Sequence, residues 1–368
     1  MRIAYVLTSM GVGGAERQAV TLAERTAARG HVVSLIVLRG RQPHEWPTTL
    51  DLVRLDMRKN PASIMAGLVK ARRFLRVFQP DLIHSHTYPA NMAARLLKLS
   101  FPAAAVLSTV HSVYEGAWPR MLAYRLSDPF SRRTTTVSQA GASRYVCLKA
   151  VPARKCTAVT NGIDTEEFAP SPQRRVCLRA QMEVNNEFVW LAAGRIVAAK
   201  DYPNLLRAFS RVSAAIASAR LWVAGEASVT GFAAVQALAA ELGVATSVRW
   251  LGLRSDMPGL LDAADAFVSA SAWEGMPLAV GEAMAMEKPV VATDVGGVRE
   301  LMGECGVLVP AKDSEALAQA MLALMQTTPE ARNSLGRAAR ERIQCEFTID
   351  AKADEWESLY RKMLARSC

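Results

Sequence analysis

Two glutamates eight residues apart are the most specific candidates for chemistry in this sequence. Glu274 lies on a loop after a predicted strand, 266–269, and Glu282 lies in the first turns of the helix predicted to follow. Gly275 and Pro277 fix the turn between them, and the N-terminus of the helix favours polar or anionic ligands. Two carboxylates so placed could bind the hydroxyl groups of a sugar, or one could stabilise a cationic transition state.

Two cations follow another predicted strand, 188–193. Arg195 and Lys200 lie just past its carboxyl end, in the segment Gly194-Arg195-Ile196-Val197-Ala198-Ala199-Lys200. A guanidinium and an ammonium group together could clamp a diphosphate, because both donate charged hydrogen bonds. In isolation, the same two residues would also be compatible with ordinary surface charge.

A glycine loop follows the first predicted strand and opens a helix. Its glycines, Gly11, Gly13 and Gly14, would let the backbone come close to a ligand, and free N–H groups at the helix start suit a phosphate. Glu16 occupies the third glycine position of a dinucleotide fingerprint, so the loop does not match that class of site. A structural tight turn is the alternative interpretation.

Three histidines are predicted near one edge of a sheet. His84 and His86 alternate on the strand 82–86 and so share a face, and His111 ends the strand 104–110. A zinc site would need a conventional ligand spacing or a carboxylate ligand, and neither is evident. We therefore predict no metal site, a hydrogen-bonding role for His111, and a buried, satisfied His84.

The elements that carry these residues alternate between short β-branched runs and helical periods. Such βαβ repetition predicts an α/β protein with parallel sheets. The pattern pauses in a polar stretch after residue 164 and restarts at 188, where we place a linker between two doubly wound, Rossmann-like domains, 1–165 and 166–347. Ligands of such sheets bind at the carboxyl ends of the strands, here in a cleft between the domains. The predicted strands are 3–7, 32–38, 52–55, 82–86, 104–110, 134–137, 188–193, 221–224, 247–251, 266–269, 289–292 and 306–309.

Charge is divided unevenly along the chain. Residues 1–164 contain 23 Lys and Arg but 9 Asp and Glu, a net charge of +14, whereas residues 165–368 carry −4. A basic half suits nucleic acid, an anionic membrane surface or an acidic ligand. Amphipathic basic runs at 64–78 and 92–99 favour the membrane surface, although solvated faces of domain helices are the alternative. The sequence shows no basic strand interleaved with aromatic residues, which is the pattern that would indicate nucleic-acid binding.

Taken together, these motifs resemble the retaining glycosyltransferases of family 4, also called glycosyl transferases group 1, which have the GT-B fold. The resemblance covers essentially the whole chain. The matching segments are the Glu274 to Glu282 string, Gly194-Arg195 with Lys200, 290–297, Asn161-Gly162-Ile163-Asp164, Gly13-Gly14, His86 and His111.

The resemblance implies how a nucleotide sugar is bound. Arg195 and Lys200 would bind the diphosphate and offset charge on the leaving group, and Glu282 would hold the ribose hydroxyls. Glu274 would contact the transferred sugar, and the base would lie near Leu253. The donor is a co-substrate, a UDP- or GDP-sugar, and no tightly bound cofactor or metal is implied.

The resemblance also assigns the first domain to the acceptor. His111 would hydrogen-bond the transferred sugar, and the loop at Gly13 and Gly14 would let acceptor and diphosphate approach the backbone. A C-terminal helix, 348–368, would pack back on the first domain. Configuration would be retained by attack from the leaving-group face, with the departing phosphate taking the proton of the acceptor and without a protein nucleophile.

We therefore expect a bacterial glycosyltransferase that is cytoplasmic and peripheral at the inner membrane face. Its acceptor would be a lipid-linked oligosaccharide or an envelope polysaccharide, and its basic N-terminal domain would meet anionic lipid. Transfer to a soluble small molecule is the alternative within enzymes. A catalytically silent nucleotide- or carbohydrate-binding partner is the alternative outside them.

Overall fold

The chain folds into two compact units, each built on its own parallel sheet. The structure is a computed structural model that describes residues 1–11, 13–116 and 118–365. Unit 1 comprises Met1–Gly162 and the C-terminal segment that begins at Ile349, and unit 2 comprises Ile163–Thr348. The chain therefore leaves unit 1 once and returns to it at its last helix.

The sheet of unit 1 has seven parallel strands in the order β3-β2-β1-β4-β5-β6-β7. Chain order reverses between β1 and β4, which makes this pair of strands the switch point where doubly wound sheets bind ligands. The strands are β1 (Arg2–Leu7), β2 (Val32–Val37), β3 (Leu52–Arg54), β4 (Leu82–His86), β5 (Ala105–Val110), β6 (Arg133–Thr136) and β7 (Cys156–Ala158).

Helices cover both faces of this sheet because alternate strand residues are apolar on both sides. Ile3, Tyr5 and Leu7 face a core shared with the first and last helices of the unit. Ala4 and Val6 face a second core, shared with the helices that lead to β4 and β5. The helices are α1 (Gly14–Ala28), α2 (Pro61–Phe78), α3 (Tyr88–Leu97), α4 (Trp118–Ser127), α5 (Gln139–Cys147) and, at the C-terminus, α14 (Ile349–Ala365).

Unit 2 repeats the same plan with six parallel strands in the order β10-β9-β8-β11-β12-β13. Its switch point lies between β8 and β11. The strands are β8 (Phe188–Ala193), β9 (Ala219–Ala224), β10 (Val248–Gly252), β11 (Ala266–Ser269), β12 (Val290–Thr293) and β13 (Val307–Val309). The helices are α6 (Pro172–Gln181), α7 (Tyr202–Ala215), α8 (Val229–Glu241), α9 (Met257–Ala263), α10 (Leu278–Ala285), α11 (Val298–Met302), α12 (Ser314–Gln326) and α13 (Pro329–Glu346).

The prediction of an α/β chain with two parallel sheets is confirmed. Each of the twelve predicted strands is present, with ends shifted by at most two residues. The sequence analysis missed β7, a three-residue edge strand in which Cys156, Thr157 and Ala158 are all half-buried. So short a segment carries no readable periodicity.

The placement of a linker throughout the polar stretch after residue 164 was wrong, because this stretch contains helix α6. Ser171 caps the helix by accepting a hydrogen bond from the Arg174 N–H at 3.3 Å, and Pro172 occupies its first turn. Arg174 pairs with Asp262 at 2.7 Å, and Arg175 pairs with Asp265 at 2.5 Å. The helix is therefore held partly by ion pairs. A search of the sequence for an apolar stripe does not detect contacts of this kind.

Helix α14 belongs to the core of unit 1 through apolar and polar contacts. Tyr360 is fully buried, and its hydroxyl lies 2.9 Å from the Tyr5 hydroxyl and 2.8 Å from His84 Nδ1. The Thr26 hydroxyl donates to Leu22 O at 2.7 Å, so at 3.0 Å it accepts from Tyr5. Tyr5 in turn accepts from Tyr360, whose oxygen accepts from His84 Nδ1–H.

In the described part of the chain, no helix has both the length and the low charge that crossing a bilayer requires.

Candidate active site

The loops after β8 and β9 lie in close contact and so fix the segment that carries Arg195. The Gly194 N–H donates to Ala224 O at 2.9 Å. A Cβ at position 225 would lie 2.0 Å from Gly194 O, and Gly225 has φ +158°. Only glycine permits this approach. Arg195 itself is exposed and has no partner among the described residues.

Lys200 ends a short 3₁₀ turn that is held against the same loop. The Tyr202 hydroxyl donates to Gly194 O at 2.7 Å, and the Asp201 side chain caps α7 by accepting from Asn204 N–H at 3.3 Å. Burial raises the pKa of Tyr202, and the nearby Glu274 carboxylate raises it further. Lys200 is thereby placed at the carboxyl end of the sheet beside an acidic group.

An ion pair joins Lys200 to Glu274 across the switch point of unit 2. Lys200 Nζ lies 2.5 Å from Glu274 Oε1, and the side chains are 24% and 12% exposed. The same oxygen accepts from Ser271 Oγ at 2.7 Å. Glu274 Oε2 has no hydrogen-bond partner within the described ranges. One carboxylate oxygen is therefore fixed by two protein donors.

The loop that carries Glu274 is supported by the end of β12. Thr293 Oγ1 donates to Ser271 O at 2.7 Å. Gly296 has φ +56°, and a Cβ there would lie 2.0 Å from Glu274 O. Gly296 thus allows the β12 loop to pack directly on the Glu274 backbone.

The other two predicted residues of unit 2 lie on neighbouring elements. Glu282 is buried on the second turn of α10. Leu253 is half-buried in the loop after β10, next to Arg254. Arg254 makes a bidentate pair with Asp256, at 2.7 and 2.6 Å, which lowers the pKa of Asp256. The pair joins two residues of the segment that follows β10.

In unit 1, Gly13 and Gly14 lie at the start of α1, beyond the carboxyl end of β1. Gly13 is extended and precedes the helix, which begins at Gly14. Ser9 Oγ donates to Glu16 Oε1 at 3.2 Å, and a Cβ on Gly13 would lie 2.5 Å from Glu16 Oε2. The glycine loop therefore leaves room for a carboxylate folded back over the first turn.

His84 is a buried neutral histidine with both ring nitrogens hydrogen-bonded. Its Nδ1–H donates to Tyr360, so its Nε2 accepts from Thr109 Oγ1 at 2.7 Å. Thr109 Oγ1 in turn lies 2.8 Å from Thr135 Oγ1. Burial lowers the pKa of His84 well below its ordinary value. The network fixes one tautomer.

His86 and His111 form a neutral pair at the ends of β4 and β5. His86 Nδ1 lies 3.0 Å from His111 Nε2, so one ring donates to the other. Burial lowers the pKa of His86 well below its ordinary value and that of His111 to about 4. His86 is 2% exposed, whereas His111 is half-buried. His111 is thus oriented through its Nε2 by His86.

Across residues 1–11, 13–116 and 118–365, no three His, Cys, Asp or Glu side chains are grouped so that they could hold a metal ion.

The sequence analysis missed several residues that support the site. Ser271 fixes Glu274, and its only signal was a hydroxyl placed three residues before the glutamate. Tyr202 carries no sequence signal for its bond to Gly194. Both hydroxyl groups donate to partners that they meet only once the strand ends are assembled.

Two sequence profiles match consecutive parts of the chain. Residues 12–167 match Glycosyltransferase Family 4, and residues 187–327 match Glycosyl transferases group 1. The Escherichia coli enzyme UDP-Gal:alpha-D-GlcNAc-diphosphoundecaprenol alpha-1,3-galactosyltransferase is 24% identical over 82% of this chain and 80% of its own length. Alpha-maltose-1-phosphate synthase from Mycolicibacterium smegmatis is 30% identical over 77% of this chain and 79% of its own.

Solved structures share the fold. The crystal structure of Anabaena HepE in complex with UDP and glucose has a TM-score of 0.86 at 20% identity, over 98% of this chain and 100% of that one. The two parallel-sheet units are those of the GT-B class. Within that class, the chain belongs to the family 4 glycosyltransferases, also called glycosyl transferases group 1.

We predict that Gly296→Ala displaces the Glu274 loop. A Cβ 2.0 Å from Glu274 O forces the two loops apart, in addition to the left-handed strain that alanine suffers at φ +56°. Gly243→Ala is the matched control. Gly243 also has a positive φ, +71°, but a Cβ there would have no such neighbour within 4 Å. The control should lose about 1 kcal/mol of unfolding free energy through the left-handed strain alone. Urea unfolding measures this loss. The control should keep its donor turnover. Gly296→Ala should lose more free energy and most of its turnover. Equal losses of free energy in the two variants would contradict this account.

The histidine pair predicts a pH-dependent stability. Because the pKa of His111 is about 4 when folded and near 6.5 when unfolded, the unfolded chain binds more protons between these values. Relative to His111→Asn, the wild type should lose up to about 1.4 kcal/mol per pH unit as pH falls below 6.5. Urea unfolding of both chains at pH 7.5 and 5.5 checks this. Glu115, whose pKa burial raises to about 7, has the opposite effect but is present in both chains. A pH-independent difference between the chains would refute the assignment.

Proposed function

We propose that this protein is a retaining, metal-independent glycosyltransferase. It moves a sugar from a UDP- or GDP-sugar to a lipid-linked or cell-envelope polysaccharide acceptor at the cytoplasmic membrane face. The observation that carries the proposal is the Lys200–Glu274 pair at the switch point of unit 2, with the exposed Arg195 on the same loop as Lys200. A cationic group beside a carboxylate suits a ligand that joins a diphosphate to a sugar.

The donor is bound by residues of unit 2. Arg195 and Lys200 bind the diphosphate, and their charge stabilises the leaving group as the glycosidic bond breaks. Glu274 binds hydroxyls of the transferred sugar, Glu282 holds the ribose, and the loop at Leu253 contacts the base. HepE, which was crystallised with UDP and glucose, supports a uridine nucleotide as the first donor to test.

Unit 1 supplies uncharged groups near the reaction. His111, kept neutral by burial, donates or accepts a hydrogen bond at a hydroxyl of the transferred sugar. The loop at Gly13 and Gly14 lets the diphosphate and the acceptor approach the backbone. The departing phosphate accepts the proton of the acceptor, and the new bond forms on the face that the leaving group vacates. Glu274 Oε1 is engaged by two protein donors, which fits a sugar-binding group rather than a nucleophile.

The acceptor assignment rests on the surface of unit 1 and on the relatives. The E. coli relative is named for an acceptor linked to diphosphoundecaprenol. Helices α2, α3 and α4 contain no Asp or Glu, and α3 packs against both of the others. Their exposed side chains mix apolar and cationic groups, as membrane surfaces favour. This α2–α4 surface consists of Ile64, Met65, Val69, Lys70, Arg72, Arg73, Arg76, Val77, Leu96, Trp118, Arg120, Leu122, Arg125 and Leu126.

A soluble acceptor is the second candidate. The relative from M. smegmatis, 30% identical to this chain, is named as the synthase of a phosphorylated disaccharide. In that case the α2–α4 surface would serve solubility alone, and activity would not depend on lipid.

We predict that the diphosphate and sugar contacts are each essential for donor turnover. Lys200→Met, Arg195→Ala and Glu274→Gln should each reduce turnover by about 10²–10³-fold, because each removes charge complementarity at the transition state. Turnover is measured as release of nucleoside diphosphate from a panel of UDP- and GDP-sugars, with diphospholipid-linked and soluble acceptors. Arg207→Ala, which removes an exposed cation elsewhere in unit 2, is the control and should be silent. Wild-type turnover in all three variants would remove the basis of the proposal.

Membrane association is tested separately from turnover. Replacing Arg72, Arg73 and Arg76 with glutamine should weaken co-sedimentation with vesicles of anionic phospholipid, by about 1 kcal/mol per cation near the surface. Salt should weaken the wild-type binding as well. The matched control replaces three exposed arginines of unit 2, which are Arg207, Arg211 and Arg337. Equal effects of the two triple replacements would show that only net charge matters.

A further inference from the structure

Thr87 has a backbone conformation that a branched residue rarely adopts. Its φ is +71° and its ψ is 158°, a region populated almost exclusively by glycine. A non-glycine residue there is energetically costly. A residue that keeps its side chain at such a cost is a candidate for a function that the side chain performs.

Thr87 lies at the switch point of unit 1, directly after His86. Its Oγ1 lies 2.6 Å from Thr8 Oγ1, which joins the ends of β4 and β1. Its N–H donates to Thr109 O at 3.1 Å, which joins the end of β4 to β5. Both threonines are half-buried, so the hydroxyl pair is partly accessible. The strained residue therefore holds a hydroxyl pair at the strand ends, next to the His86–His111 pair.

The chemistry of the pair favours a neutral ligand oxygen. In a hydrogen bond between two hydroxyls, one hydrogen is used and the other stays free to be donated. A single neutral O–H donor suits the oxygen of a ligand hydroxyl group, whereas an anionic phosphate is usually bound by several donors or by cations.

We propose that the hydroxyl pair of Thr8 and Thr87 binds a hydroxyl group of the acceptor sugar. The pair donates its free hydrogen to the acceptor oxygen. The strained backbone at Thr87 fixes the orientation of the two hydroxyl groups. No covalent step is assigned to either residue. The inference rests on the proposed function and adds an acceptor contact to it.

The test compares variants that separate the hydroxyl from the strain. Thr87→Val and Thr8→Val keep the branched shape and remove one hydroxyl each, and Thr87→Ser keeps the hydroxyl. The acceptor is whichever member of the panel above gives the fastest transfer. We expect each valine variant to raise the KM for this acceptor about tenfold, a change that corresponds to one lost hydrogen bond. Thr87→Ser should keep the KM near that of the wild type.

Thr87→Gly separates binding from structure. Glycine relieves the strain and removes the hydroxyl, so its melting temperature should equal or exceed that of the wild type while the acceptor KM rises. A lower melting temperature together with an unchanged acceptor KM, in this variant or in Thr87→Val, would show that the pair is only a structural tie and would overturn the inference. Failure of the wild type to transfer to any acceptor would overturn the proposed function as well, so the two failures are distinguishable.

Discussion

The ion pair between Lys200 and Glu274 is the contact on which the rest of unit 2 depends. It joins the ends of two adjacent strands, β8 and β11, at the point where the order of the sheet reverses. For the two side chains to meet, the loops that carry them must approach closely. The Ala272 N–H donates to Ala199 O at 2.8 Å, which holds these two loops together. Glycine at 225 and 296 lets the loops after β9 and β12 pack on them, because a side chain at either position would overlap a backbone oxygen. The geometry of the candidate site therefore depends on the two glycines as well as on the ion pair.

Unit 1 meets a different physical requirement at its own switch point. Its polar groups there include histidines and hydroxyls, and burial keeps His84, His86 and His111 uncharged. The directed network from Thr109 through His84 to Tyr360 leaves His84 no freedom of tautomer. Because Tyr360 lies on the last helix, α14, the C-terminal segment helps to fix the orientation of the His84 ring. The switch point of unit 2 thus carries an ion pair, whereas the histidines at the switch point of unit 1 are uncharged.

The fold could be predicted because β-branched runs and helical periods are local features of the sequence. The errors arose where a structure is held by something other than an apolar pattern. Strand β7 has only three residues, and helix α6 depends on Arg174 and Arg175 reaching Asp262 and Asp265 far along the chain. For the candidate site, motif spacing identified Lys200 and Glu274, but it could not identify Ser271 or Thr87. Thr87 stands out by its positive φ, and the residue type threonine does not predict a positive φ.

The amphipathic basic runs allowed two interpretations, a membrane surface or ordinary solvated helix faces, and the distribution of apolar residues bears on the choice. Helix α2 buries Leu75 and Phe78 in the core, yet Met65 and Val77 are 62% and 83% exposed on either side of Arg72 and Arg73. A face that served solubility alone would gain nothing from apolar groups placed among its cations, because exposed apolar area is unfavourable in water. In a lipid headgroup region, the apolar groups are buried while the arginines meet phosphate. The composition of this face therefore favours the interpretation in which unit 1 meets the acceptor at a membrane.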